Sequence, residues 1–139
     1  MKKVLAIILA AASLSAAHAN TNLVYTGEYW KNGRAVYEEW VDMYSVTESG
    51  GDKYVTVLRK YKMSQTMSVS DPRTYTHDVV RYRVACFYNH GMGGIAAIGV
   101  AFTRGNDVIK KFPIDEEIHT IEPDSSNEKI HEMVCDTND

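Results

Sequence analysis

The chain has 139 residues, of which 15 are lysine or arginine and 18 are aspartate or glutamate, so its formal charge at pH 7 is −3. This length suits one domain around a single hydrophobic core and does not accommodate a second domain of ordinary size. Nucleic-acid binding is not expected, because phosphate contacts require a surplus of lysine and arginine.

The first 19 residues have the layout of a secretory signal peptide. Two lysines precede an apolar run from Val4 to Ala12, and the small residues Ala17 and Ala19 form an A-x-A cleavage site. The run is shorter than the ~20 apolar residues that a membrane-spanning helix needs, so we expect cleavage after Ala19 and no transmembrane segment. The mature domain, residues 20–139, would then have 13 basic and 18 acidic residues and a formal charge of −5.

The mature chain begins with segments that are typical of antiparallel strands. NLVYTGEYW and AVYEEWV flank Asn32–Gly33, and such a pair between alternating apolar runs predicts a hairpin, since both residues tolerate positive φ. In VDMYSVTESGGDK, Asp42 and Ser45 can bond nearby backbone N–H groups, and Gly50–Gly51 predicts a second turn. YVTVLRKYKM then alternates as a long strand.

The middle of the chain continues this pattern after an interruption. SQTMSVSDPRTYTHD is polar and is predicted as an irregular loop. VVRYRVACFY alternates again, which places Cys86 with the apolar side chains and Arg81 and Arg83 on the opposite face. After the turn NHGMGG, IAAIGVAFT is predicted as a buried strand and DVIKKFPI as an edge strand that ends at Pro113.

The last segment changes to a helical period. Ser125 is a predicted N-cap, with Glu128 at the spacing of a capping box. The apolar face of this helix is predicted to consist of Ile130, Met133 and Val134. The helix should pack on the sheet and bring its last residue, Cys135, close to Cys86.

The two cysteines admit three roles: a disulfide, a catalytic thiol or a metal ligand. Both lie in the exported part, and in an oxidising compartment an even cysteine count predicts a disulfide first. A catalytic Cys86 would need a base within hydrogen-bond reach, which the sequence spacing to His90 does not supply. The histidines lack a metal-ligand spacing, and GMGG precedes a strand rather than the helix of a phosphate loop. We therefore expect no cofactor, no metal and no catalytic residue.

Four basic residues form the candidate partner-binding surface. They are Lys60, Lys62, Arg81 and Arg83. If the two long strands are neighbours, these side chains would form a stripe that engages an acidic protein segment or a sulfated glycan. Tyr54 and Tyr75 lie nearby in sequence and favour an interface. The alternative is a solvated sheet face whose charges pair across strands with carboxylates.

The order of these features resembles the surface-adhesin protein E-like family of Gram-negative bacteria. The matching segments are VDMYSV, YVTVLRKYKM, VVRYRVACFY and IEPDSSNEKIHEMVC, which extend from Val41 to Cys135. The resemblance implies an α+β fold, in which an antiparallel β-sheet of about six strands is packed by a C-terminal α-helix. It also implies that a disulfide between Cys86 and Cys135 ties this helix back to the sheet.

The same resemblance implies an adhesive role, because the family's founding member is an outer-membrane lipoprotein that binds host proteins such as vitronectin and laminin. We therefore expect a binding protein for host extracellular or plasma proteins. The predicted signal peptide does not end in cysteine, so we expect no lipid anchor and a periplasmic or secreted location, with surface association left open. The alternative is a periplasmic accessory or inhibitor protein that recognises an envelope component or a hydrolase. An open sheet also has edge strands through which a homodimer would form.

Overall fold

The computed structural model describes residues 22–135, and the predicted signal peptide lies outside these residues. The described elements, in chain order, are β1 (Leu23–Lys31), β2 (Arg34–Ser49), β3 (Asp52–Thr66), β4 (Thr74–Ala85), α1 (Tyr88–Gly91), β5 (Gly94–Arg104), β6 (Asp107–Pro113), β7 (His119–Thr120) and α2 (Ser126–Cys135). α1 is a single turn in which Asn89 and His90 have positive φ angles. Among residues 22–135, no helix has the length and apolar character required to cross a membrane.

The strands form one antiparallel sheet in the order β1-β2-β3-β4-β5-β6, and the short β7 also pairs with β5. The predicted hairpin between β1 and β2 is confirmed, since Asn32 and Gly33 form its two-residue loop with φ angles of 52° and 74°. Gly50 and Gly51 make the corresponding turn between β2 and β3, with φ angles of 62° and 84°. Because each strand follows its neighbour through a short connection, the sheet is a meander.

The predicted loop between the two long strands is shorter than its polar sequence indicates. β3 continues to Thr66 and β4 begins at Thr74, so only residues 67–73 connect them. The strands remain paired here through Gln65 with Tyr75 and Thr66 with Thr74. The prediction was wrong in extent because tyrosine and threonine favour strands, and cross-strand pairing outweighs the local polarity.

The hydrophobic core lies between α2 and one face of the sheet. Its buried members are Val41, Val55, Val57, Val84, Ile95, Ile121, Ile130 and Val134. Ile130 and Val134 come from the predicted apolar face of α2, and Met133 packs against them with partial exposure. Burial of these two side chains contributes roughly 3–6 kcal/mol to the attachment of α2.

The two ends of α2 are fixed by the residues that the sequence predicts. At the N-terminal end, the Glu128 N–H donates to the Ser125 hydroxyl oxygen at 3.2 Å. At the C-terminal end, Cys135 forms a disulfide with Cys86, with a Cα–Cα distance of 5.7 Å. The predicted antiparallel sheet, C-terminal helix and disulfide are thus confirmed. The sheet takes a larger share than the α+β class suggests, since α2 is the only helix of more than one turn within residues 22–135.

Candidate functional site

The four residues of the predicted basic stripe lie on the sheet face opposite α2, and intramolecular contacts engage three of them. The Lys62 ammonium lies 2.7 Å from the Glu38 carboxylate, and the Arg83 guanidinium lies 2.6 Å from that of Asp52. Lys60 is exposed, whereas Arg81 is only 6% exposed. The ion pairs of Lys62 and Arg83 agree with the alternative hypothesis, in which the charges of this face pair across strands. Partner binding by the four residues stays a prediction.

Arg81 stabilises an irregular part of β2. Its guanidinium donates to the Ser45 carbonyl at 2.8 Å and to the hydroxyls of Thr56 and Thr47 at 3.0 and 2.9 Å. The pairing of β2 with β3 is interrupted between Asp42 and Thr47, so these bonds satisfy groups that the regular ladder leaves open. Burial lowers the pKa of Arg81, because the low-dielectric surroundings disfavour the charged form.

A row of aromatic rings crosses the sheet on the face that carries α2. One ring comes from each of the six long strands: Tyr29, Tyr37, Tyr61, Tyr75, Phe102 and Phe112, here called the aromatic row. Neighbouring ring centroids lie between 4.7 and 5.9 Å apart, which is contact distance for tilted and stacked rings. The two end rings, Tyr29 and Phe112, are 46% and 37% exposed, and the four between them are half-buried.

The aromatic row occupies the part of this face that α2 does not cover. Side chains alternate along a strand, so Tyr37 shares the face of the core residue Val41, and Tyr61 shares that of Val57. The helix packs on the valines, and the tyrosines continue the same face beyond it. One face of the sheet therefore combines a covered core with an uncovered aromatic surface.

The sequence prediction placed Tyr75 near the basic stripe, and the structure places it on the opposite face. Its ring contacts Tyr61 and Phe102, with centroid distances of 5.4 and 4.7 Å. The cause is an irregularity in the pairing of β3 with β4, between the Lys60–His77 pair and the next one. Such an irregularity shifts the alternation of side chains, and strict alternation along the sequence cannot reveal it.

A buried ionic network holds the middle of the aromatic row. Asp78 is only 1% exposed, and its carboxylate accepts hydrogen bonds from Arg59 Nε and the Tyr61 hydroxyl, both at 2.6 Å. Burial and the adjacent Asp78 carboxylate both raise the pKa of Tyr61. Burial disfavours the charged Arg59, but the Asp78 carboxylate, together with the Tyr82 and Tyr61 hydroxyl groups, outweighs this effect and raises the pKa of Arg59. Arg59 also lies 5.2 Å from the centre of the Tyr37 ring, so the network orients two members of the row.

A cleft of about 390 Å³ lies where the β1 end of the aromatic row meets α2. Tyr29, Trp30 and Tyr37 line its sheet side, and Asp124, Ser126 and Lys129 line its helix side. Glu39 also lines the cleft and is 4% exposed.

Thr26 joins the two sides of this cleft. Its hydroxyl donates to the Glu39 carboxylate at 2.9 Å, and its carbonyl accepts from the Lys129 ammonium at 3.0 Å. Burial raises the pKa of Glu39, although the Thr26 hydrogen bond and nearby cations oppose this shift. Glu39 is therefore a carboxyl group whose charge is disfavoured by its surroundings.

The cysteines and one histidine lie close together. The candidate ligand atoms of Cys86, His131 and Cys135 all lie within 4.8 Å of one another, but the two sulfur atoms are bonded to each other. The His131 Nε2 atom lies 3.3 Å from the Cys86 carbonyl oxygen. In this state the cluster is a disulfide with an adjacent imidazole, and its sulfurs offer no thiolate to a metal.

No family model, curated protein or solved structure matches this chain. Functional inference therefore depends on the surfaces themselves, of which the aromatic row and the adjoining cleft have the most distinctive chemistry.

Proposed function

We propose that this chain is an exported binding protein of the surface-adhesin protein E-like type, which recognises host extracellular-matrix or plasma proteins through the aromatic row. The observation that carries the proposal is the continuous line of six rings on the part of the face that α2 leaves uncovered. Connected apolar surface with a polar rim is typical of interaction sites. Tyrosine is enriched at such sites, because it offers a large ring together with a hydroxyl group.

The dimensions of the aromatic row favour a macromolecular partner. Six strands at the usual spacing make the row roughly 24 Å long, which matches about seven residues of an extended polypeptide. Arg59 lies beside the β2 ring, and Lys110 lies 5.6 Å from the centre of the Phe112 ring. Lys110 is exposed and can contact a carboxylate of a bound chain, whereas the Arg59 guanidinium is already paired with Asp78.

The test is capture of partners from serum and matrix extracts by immobilised mature domain. The row variant combines Tyr75→Ala and Phe102→Ala, which remove two adjacent rings and leave Arg59, Tyr61 and Asp78 themselves unchanged. The matched control combines Lys60→Glu and Arg83→Glu on the opposite face. We expect the row variant to lose the captured partner and the control to retain it. If the control loses the partner and the row variant retains it, the basic stripe, and not the aromatic row, is the binding surface.

The second candidate is a periplasmic accessory or inhibitor protein that recognises an envelope component or a hydrolase. The disulfide is compatible with it, because the oxidising periplasm forms such bonds. Protease treatment of intact cells separates the two candidates. Degradation of the protein supports the surface adhesin, and complete protection supports the periplasmic role.

A further inference from the structure

We propose that the cleft between β1 and α2 is a binding site for a neutral saccharide. The inference rests on the proposed function, since the cleft is the β1 end of the aromatic row, and it adds the chemical class of a ligand.

The sheet side of the cleft is aromatic. The rings of Tyr29 and Tyr37 are stacked on each other, with an interplanar angle of 11° and a centroid distance of 5.0 Å, so each covers one face of the other, and Tyr29 remains 46% exposed. Trp30 adds a third ring and is 61% exposed. A saccharide ring has one face of C–H groups, which packs on an aromatic face as other apolar surface does, while its hydroxyl groups point outward.

The helix side of the cleft supplies a mixed set of hydrogen-bonding groups. Ser126 offers a hydroxyl that both donates and accepts, Asp124 offers a carboxylate that accepts, and Lys129 offers an ammonium that donates. Glu39 at the floor accepts one bond from Thr26, and a carboxyl group has room for further donors. Donors and acceptors in one small cleft match the hydroxyl groups of a sugar better than they match a purely anionic or purely apolar ligand.

The charged groups around the cleft disfavour an anionic ligand. Its lining includes the carboxyl groups of Glu28, Glu39 and Asp124 and one ammonium group, that of Lys129. Arg59 acts on Glu39 from the adjoining network, but its guanidinium is already paired with the Asp78 carboxylate. A sulfated ligand would meet this surplus of carboxyl groups, whereas the hydroxyl groups of a neutral sugar can donate to the carboxylates and accept from the ammonium.

The experiment is a fluorescence titration of the mature protein in a Trp40→Phe background, where Trp30 is the remaining tryptophan. The probes are chitotriose, maltotriose and cellotriose, with heparin disaccharide and tetramethylammonium as charged comparisons. We expect at least one neutral trisaccharide to shift the Trp30 emission saturably and Tyr29→Ala to weaken its affinity about tenfold. Tyr25→Ala is the matched control, because Tyr25 is an exposed β1 tyrosine that does not line the cleft.

Three results would overturn the saccharide site: no neutral probe binds, Tyr29→Ala binds as well as the parent, or only a charged probe binds. The partner capture with the Tyr75→Ala and Phe102→Ala variant separates this failure from failure of the proposed function. If capture depends on those two rings and no sugar binds, the aromatic row keeps its role and the saccharide site alone is wrong. If a sugar binds in a Tyr29-dependent way and no protein is captured, the saccharide site remains and protein recognition is wrong.

Discussion

Arg81 and Arg83 lie on the same face of β4, but one is buried and structural and the other is exposed. Arg81 is 6% exposed and donates to a carbonyl and two hydroxyl groups, whereas the Arg83 side chain is 44% exposed and pairs with Asp52. Arg81→Ala leaves these buried groups without partners, so we expect a loss of about 2–4 kcal/mol in the free energy of unfolding. Arg83→Ala removes one exposed ion pair and should cost at most about 1 kcal/mol. Urea denaturation measures both, and equal losses would contradict the structural role of Arg81.

Glu39 makes the stability of the protein depend on pH. Burial raises its pKa above the ordinary value of 4.5, so between these two pKa values the folded state binds more protons than the unfolded state. The stability contributed by the protonated group is present below the unfolded pKa and is lost as pH rises through the folded pKa. Glu39→Gln keeps an acceptor for Thr26 without the charge. The free energy of unfolding of the Glu39→Gln variant, relative to that of the parent, should therefore rise between about pH 4 and about pH 7. Denaturation at a series of pH values measures this difference.

A control for this titration is Glu38→Gln on the opposite face. The Glu38 carboxylate pairs with Lys62, so its replacement removes a favourable contact and should bring no gain at neutral pH. A Glu39→Gln effect that stays constant with pH would contradict burial of a disfavoured charge.

At the scale of elements, α2 is held by two contributions of similar size. Burial of Ile130 and Val134 contributes roughly 3–6 kcal/mol, and closing a loop between cysteines 49 residues apart contributes about 4 kcal/mol in the chain-entropy model. Replacing Cys86 and Cys135 by alanine should therefore lower the free energy of unfolding by about 4 kcal/mol. Hydrogen exchange should show the amides of α2 losing protection first, because only packing still holds them. A loss shared evenly by α2 and the central strands would contradict this picture.

The turn before β5 is shaped by its contact with α2. Gly93 has a φ angle of 82°, and a Cβ atom there would clash with the imidazole of His131. Gly91 has a similar φ angle of 86°, but a Cβ atom there would meet open space. Both alanine variants have the strain of a positive φ angle, but only Gly93→Ala adds a clash with His131. We therefore expect Gly93→Ala to be the more destabilising variant. In thermal denaturation, adding His131→Ala to Gly93→Ala should remove the difference; persistence of the difference would exclude the contact as its cause.

The success of the sequence prediction differs between local and nonlocal features. The loop at Asn32–Gly33 and the N-cap Ser125 are determined by a few adjacent residues, and the structure confirms both. The aromatic row requires the register of six strands, including an irregular pairing that moves Tyr75 to the other face. The prediction that Arg81 belongs to an exposed basic stripe is limited for a related reason. Alternation predicts the face on which a side chain lies, but it does not predict that an irregular part of β2 covers that side chain.

At the scale of the whole molecule, the two faces of the sheet differ in how far their side chains are already engaged by intramolecular contacts. On the face opposite α2, three of the four predicted basic side chains have intramolecular partners. On the α2 face, the aromatic rings contact one another and remain partly open to solvent. Free energy for binding is available where surface is still to be buried, so a partner gains more from the aromatic row than from charges already paired.

The edges of the sheet bear on the predicted homodimer, which stays a prediction. β1 contains register irregularities around Thr26 and at Trp30, and the Lys129 ammonium already occupies the Thr26 carbonyl. β6 carries Lys110 and Lys111 and ends at Pro113. Charges, proline and irregularities are the features by which edge strands resist pairing with other chains.

A variant of β6 tests whether these features limit self-association. The Ile114 N–H donates to the Ile98 carbonyl of β5, so the adjacent Pro113 nitrogen faces the open edge. Lys110→Thr, Lys111→Thr and Pro113→Val together restore a donor and remove two charges there. We therefore expect a larger sedimentation mass than the parent across micromolar concentrations. The control, Lys60→Thr with Lys62→Thr, removes the same charge from the central strand β3 and should leave the mass unchanged. Equal association of both variants would mean that net charge, and not the chemistry of the edge, governs assembly.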